Sequence, residues 1–273
     1  MSLVTITQTM GCNGLDIARR VAEGLGTDLY DDSRLRAEAI RMGLSEENLK
    51  GFREKAPDWF DRILGDKPEM YLELMESVVY EAARRGEGVI LGHGSQMLLQ
   101  EFGCATHVLV TTREENRIHA LIHEMNLSPE AARKVIRQSD NRKKGFFRYA
   151  FDRDWDDPSL YDLCINPDKV GAERAAQLIM DLARSPELKA CSSYALEALE
   201  RLSKTKRIEA ALRETDLRPA GLRVEMPEKG VVHISGVIFR HEDKGRIPAV
   251  LGRIPGVEKV QVDDVMVAPA GYD

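Results

Sequence analysis

The string GCNG, residues 11–14, is the first place in the chain where residue types and spacing could do chemistry. Gly11 and Gly14 bracket it, a β-branched run from Leu3 to Thr7 precedes it, and the helical spacing of DIARRVAEGLG follows. A loop joining a strand to a helix N-terminus presents unpaired N–H groups and the positive end of the helix dipole, which suits a phosphate. Glycine there admits positive φ and lets the main chain approach an anion closely. The fuller phosphate-binding motif adds a lysine and a hydroxyl residue after the second glycine. Here Leu15 and Asp16 follow, and no lysine occurs before Lys50. Any cation serving this loop therefore comes from an arginine or from another segment. An ordinary strand-to-helix turn is the plain alternative.

A second constellation runs from Arg133 to Arg153. It holds eight basic residues (Arg133, Lys134, Arg137, Arg142, Lys143, Lys144, Arg148 and Arg153) against Asp140 and Asp152, in a chain whose net charge is −6. Phosphoryl transfer needs cations around the migrating group and exclusion of water, and a basic flap closing over a site supplies both. Phe146, Phe147, Tyr149, Phe151 and Trp155 interleave with the basic residues and could anchor such a flap. A solvated helix face and an RNA-binding segment are the alternatives.

Smaller signals are weaker. Asp16, Asp31 or Asp32 could hold magnesium, which takes one or two carboxylates together with phosphate oxygens. Helix-initial capping is the simpler reading of Asp16. His119 and His123 have metal-ligand spacing on a helix, but no third ligand accompanies them, so they read as surface histidines. Cys12, Cys104, Cys164 and Cys191 lie far apart without a CxxC pair. They read mostly as buried thiols, with neither a zinc knuckle nor a disulfide framework expected.

The elements that must position these groups alternate. GVILG (88–92), HVLVT (107–111) and DLCIN (162–166) have strand character, and helical patterns occupy Met70 to Arg85 and Pro129 to Lys144. Strands alternating with helices predict a parallel sheet covered on both faces. After Ala183 the pattern changes. A polar stretch leads into a charged helix, and then LRVEM (222–226), GVVHISGVI (230–238), a helix near 244–253 and a strand near 257–262 form a small α+β unit. The expected division is 1–185, a linker or helix over 186–203, and 204–268.

Composition bounds the classes. With 39 Lys+Arg, 45 Asp+Glu and 43% hydrophobic residues in 273, the chain has the proportions of a folded globular protein. An acidic balance argues against broad binding to nucleic acid or an anionic membrane. No run approaches a spanning helix, and the N-terminus lacks the order of a signal peptide, so the expected location is the cytoplasm.

The order of VTITQTMGCNGLDIARRVAEGLG, LYDD, GVILGHGSQMLL and the stretch from VLVTTREENR to YDLCIN resembles the cytidylate-kinase-like family of P-loop proteins, over residues 1 to about 185. The resemblance implies a five-stranded parallel sheet, a phosphate loop (Gly11, Cys12, Asn13, Gly14, Leu15, Asp16) after the first strand, and an arginine-bearing lid before the last. It implies ATP with Mg2+ as donor, with Asp16 and Asp31 as metal candidates, and a nucleoside monophosphate or similar small phosphorylated acceptor. Arg137 and Arg142 become the lid arginines, Asp140 orients them, and Arg148 is a further candidate. Asp31, at the end of the second strand, and Arg34 or Arg36 become acceptor-binding residues, as guanidinium contacts suit a phosphate.

The chain also departs from the family pattern. A serine-glycine pair and a following arginine are replaced by Cys12, Asn13 and Leu15, and His93 stands where an arginine is usual, a substrate-side candidate that could still donate to a phosphate. Two expected positive charges are missing, which makes slow or absent catalysis an alternative: a degenerate nucleotide or anion sensor that sets the state of the C-terminal unit. That unit resembles a BON domain, the small bacterial module, through Gly230, Gly236, Gly256 and Val257. The resemblance implies recognition of a ligand or protein partner, with structural support or homodimerisation as the plain alternative.

Overall fold

The computed structural model describes residues 2–44, 68–188, 190–215 and 221–268. Positions 216–220, inside the expected C-terminal unit, therefore lie outside the described residues.

Five short strands build the first sheet: β1 (Leu3–Gln8), β2 (Leu29–Tyr30), β3 (Gly88–Leu91), β4 (Ala105–Val110) and β5 (Leu163–Ile165). All pairings are parallel, in the order β2-β3-β1-β4-β5. Side chains alternate across the pleat, so each strand feeds two cores. Val4, Ile6, Val89, Leu91, Val108 and Val110 point to one face, beneath α1 (Gly14–Leu25) and α7 (Pro167–Ala183). Leu3, Ile90 and Leu109 point to the other, where α3 (Pro68–Ala83), α4 (Ser95–Leu98) and the end of α6 (Pro129–Phe151) pack. Helices α2 (Asp32–Arg41) and α5 (Glu114–Met125) complete this unit. The expected five-stranded parallel sheet with helices on both faces is what the chain forms.

Helix α1 is set by its sequence. Ile17, Ala18, Val21 and Ala22 are buried along one stripe, and Gly26 ends the helix in the left-handed conformation, its N–H turned back to Glu23. The basic stretch lies in α6, a continuous helix of 23 residues, longer than the expected span. Phe146, Phe147 and Trp155 are buried and tie its end into the core, whereas Tyr149 is exposed.

Helix α8 (Ser193–Glu214) is shared between two cores. Leu199 joins the first core and Ser203 Oγ donates to the Ser77 carbonyl, while Ile208 and Leu212 join the core of a second, smaller sheet. There β6 (Arg223–Glu228) pairs antiparallel with β7 (Val231–Ile238), and β8 (Lys259–Gln261) and β9 (Val265–Val267) pair parallel with β7, covered by α9 (His241–Leu251).

Two cysteines correct the sequence reading. Cys104 and Cys191 form a disulfide, Cys12 is buried, and Cys164 is exposed. The partners are 87 residues apart, so spacing gave no sign. They meet because the segment entering α8 runs beside Gly86, near the start of β3, where a Cβ would lie 3.3 Å from the Cys191 Cβ.

Candidate functional site

At the carboxyl ends of β1 and β3 lies a cleft of about 560 Å³, within the usual range for small-molecule sites. The connection leaving β1 runs to one side of it, to β2, whereas the connection leaving its neighbour β3 runs to the other side, to β4. Such a switch point is where open α/β sheets bind ligands.

The glycine loop forms its floor. Gly11 (φ +83°) and Asn13 (φ +61°) both take left-handed conformations. Asn13 is the N-cap of α1 but makes no side-chain capping bond, so the first turn keeps N–H groups for an outside acceptor. Asp16 sits inside that first turn and pairs with Arg20 at 2.8 Å, so the capping role expected of it does not exist. Both glycines are required by close approach. A Cβ on Gly11 would lie 2.8 Å from the Arg117 carbonyl oxygen, and one on Gly14 would lie 2.8 Å from the Gln8 Cβ.

Gly11, Asn13, Gly14, Leu15, Asp16 and Asp31 line the cleft together. Cys12 turns inward instead, its thiol donating to the Val110 carbonyl at 3.4 Å. Burial pushes that thiol up from its ordinary pKa, so it is a poor nucleophile. Asp31 caps α2, accepting from the Ser33 and Arg34 amides at 3.0 Å each.

Other sequence candidates stand outside the lining. Arg34 pairs with Asp28 at 3.4 Å and Glu38 at 3.5 Å, and Arg36 is half-buried elsewhere on α2. His93 is buried with Nε2 2.9 Å from Asp32 Oδ1. Arg137 lies in an outer groove of α6 with Arg133 and Lys134. Arg142 is half-buried and is not among the cleft residues. Arg148 pairs with Asp154 at 2.5 Å on the surface. Asp140 holds Arg117, at 2.7 and 2.9 Å, rather than Arg137 or Arg142.

Lys143, one of the eight basic residues of that stretch, is the α6 cation that reaches the cleft. Its ammonium donates to the Gln8 carbonyl, at the foot of the glycine loop, and lies 5.4 Å from the Trp155 ring centroid. Ser139, one turn earlier, and the exposed Arg19 line the same cleft. The usable signal was helical spacing. Ser139 and Lys143 are i, i+4, whereas Arg137 is six residues from Lys143 and falls on another face.

The residues fit a polyphosphate: an uncapped helix start, a main chain too crowded for side chains, and an ammonium beside it. Magnesium would find carboxylate oxygens of Asp16 and Asp31 at the rim, with phosphate completing its shell. Among the described residues no group of three His, Cys, Asp or Glu forms a self-sufficient metal site, and His119 and His123 are both exposed. A second cleft of about 320 Å³ lies between α8 and the β6–β7 hairpin, where Lys204 pairs with Glu200 at 2.8 Å. No helix among the described residues is long and apolar enough to cross a membrane.

Known proteins extend this picture. A cytidylate kinase from Staphylothermus marinus is 27% identical over 183 residues, covering 66% of this chain and 96% of that protein. The crystal structure of an uncharacterized protein from Eubacterium ventriosum superposes with a TM-score of 0.54 at 19% identity, over 67% of this chain and 97% of that one. A shikimate kinase from Acinetobacter baumannii, in complex with shikimate, is more distant, with a TM-score of 0.42 at 17% identity over 69% and 96% of the two chains. Residues 3–169, which carry the parallel sheet, the glycine loop and all of α6, match the Cytidylate kinase-like family, and the chain belongs to that family.

Proposed function

We propose that the protein is an ATP-dependent phosphotransferase whose acceptor is a nucleoside monophosphate or a similar small phosphorylated molecule. The observation that carries this reading is the open glycine loop at the uncapped start of α1, with the Lys143 ammonium beside it in one cleft. Bound ATP with Mg2+ would supply the transferable phosphoryl group and part of its charge neutralisation. The chain's own contribution is electrostatic and positional. Main-chain N–H groups from Gly14 to Asp16 receive phosphate oxygens, and Lys143 adds the positive charge that the loop itself lacks. Asp16 and Asp31 stand at the rim to orient the metal, and Leu121 and Met125 of α5 limit water on the opposite wall. Such a donor places the work of the protein in the cytoplasm.

Arg137, Arg142 and Arg148 belong to the same proposal as donor-side residues of the basic stretch, and Arg34, Arg36 and His93 as residues on the acceptor side. The C-terminal unit is proposed to be a BON-like recognition module, with the cleft along α8 as the place for its ligand.

One observation favours a second reading, a nucleotide sensor with little turnover. Helix α8 runs without a break from the first core into the second, so a change at the nucleotide unit has a rigid path to the C-terminal sheet. A coupled assay with Mg2+, ATP and a panel of nucleoside monophosphates, run beside thermal shifts, separates the two. Turnover above that of Gly14→Glu supports the kinase. A shift of several degrees without turnover supports the sensor, and neither response overturns both.

A further inference from the structure

Arg117 of α5 holds three acceptor oxygens at once. Its Nε donates to the Met10 carbonyl at 2.8 Å, and its two terminal nitrogens donate to the two oxygens of Asp140 on α6 at 2.9 and 2.7 Å. Its own main chain crowds Gly11, leaving no room for a Cβ there. The side chain is 8% exposed and is not part of the cleft lining, so it is placed to hold the cleft without forming its wall. Asp140 lies three residues before Lys143, so the two share a face of α6. Lys143 in turn holds the Gln8 carbonyl, two residues before Met10. Two of the carbonyls that lead into the glycine loop, those of Gln8 and Met10, are thus each held by a cation from the neighbouring helices, and the Arg117–Asp140 pair ties those helices together.

We propose that Arg117 is a positioning residue. By gripping Met10 and Asp140 together it sets both the main chain of the phosphate loop and the rotation of α6 that brings Lys143 beside it. The inference rests on the phosphotransferase reading for its ligand and on the geometry alone for the loop. Only a planar guanidinium fork can serve a carbonyl and both carboxylate oxygens simultaneously, which is why lysine would not replace it.

The test must separate positioning from simple support. Removing one partner of a buried pair leaves the other uncompensated, whereas replacing both with apolar residues largely restores stability. The double variant Arg117→Met with Asp140→Leu is therefore expected to keep the fold while losing the grip on Met10. Three readouts are taken on the full chain: melting temperature, hydrogen exchange of residues 9–16 without ligand, and calorimetric affinity for Mg·ATP. We expect a melting temperature within a few degrees of wild type, clearly faster exchange in the loop, and affinity weaker by about tenfold, a modest case of the losses that misplacement causes.

Arg117→Lys, still charged but able to serve one partner only, is expected to show the same loss and covers the case in which the double variant does not fold. A folded variant with wild-type loop exchange and wild-type affinity overturns the proposal. Failure of the wild type to bind Mg·ATP overturns the phosphotransferase reading instead. The loop exchange then decides the role of Arg117: faster exchange supports it, unchanged exchange removes it.

Discussion

Two turns stand side by side at the carboxyl ends of β1 and β3, and only one of them is open. Both leave their strand through left-handed residues and lead into a helix: Gly11 and Asn13 in the first, Gly92, His93 and Gly94 in the second. In the second turn a Cβ on Gly94 would lie 2.8 Å from Phe151, His93 is drawn down onto Asp32, and all four residues of α4 are buried. In the first, Asn13 is exposed and the helix start carries no capping side chain. A glycine turn at a strand end is thus open to a polyphosphate only where neighbouring side chains leave it empty. The aromatic end of α6 fills one turn while the middle of the same helix delivers Lys143 to the other.

Phe146→Ala attacks the filled turn and should have the largest effect. The ring is 1% exposed and makes edge contacts with Phe147 and Phe151 at 5.6 and 5.7 Å. Truncation should lower stability by about 3–5 kcal/mol in denaturant unfolding. Where the variant is still folded, its Mg·ATP affinity should stay near wild type. A collapse of affinity in the folded variant would mean that the two turns are not independent.

Lys143→Ala attacks the open turn. Losing one preorganised cation next to transferring charge should lower kcat by roughly 10²-fold, with the melting temperature measured alongside to control for the lost contacts. Equal turnover would remove Lys143 from the chemistry.

Leu15→Arg sharpens the contrast by restoring a charge at the loop. One charge-assisted hydrogen bond at this half-buried position should tighten Mg·ATP by about tenfold in calorimetry. No gain would indicate that this loop presents its anion elsewhere.

The smallest effect concerns the sheet beneath both turns. His107 on β4 is buried, with Nδ1 2.8 Å from Thr5 Oγ1, and burial holds its pKa below the ordinary imidazole value against the opposing pull of Asp162. The unfolded chain takes up the proton first as pH falls. This contribution is therefore complete above about pH 6.5 and is lost as pH drops toward the folded value, with a slope of at most about 1.4 kcal/mol per pH unit. A pH series of denaturant melts on wild type and His107→Gln should show the slope only in the former.

Much of the parallel sheet was legible because β-branched runs alternate with helical periods, and the glycine loop because bracketing glycines have few other uses. Three features were hidden for physical reasons. β2 and β9 are two and three residues long, too short for periodicity, and their pairing comes from neighbours. The Cys104–Cys191 bond depends on where α8 docks. Within α6 the basic residues occupy several faces, so charge density alone could not distinguish Arg137 in its outer groove from Lys143 in the cleft. Nor could it foresee that Asp140 serves Arg117, since a partner on another helix leaves no local pattern.

The most direct test of the central claim is amide NMR of the full chain titrated with Mg·ATP, following residues 11–16 and 92–96 in one experiment. Large, saturable shifts are expected in the first group, led by Gly14, Leu15 and Asp16, with little change in the second. Shifts confined to 92–96, or none in either turn at saturating nucleotide, would contradict it.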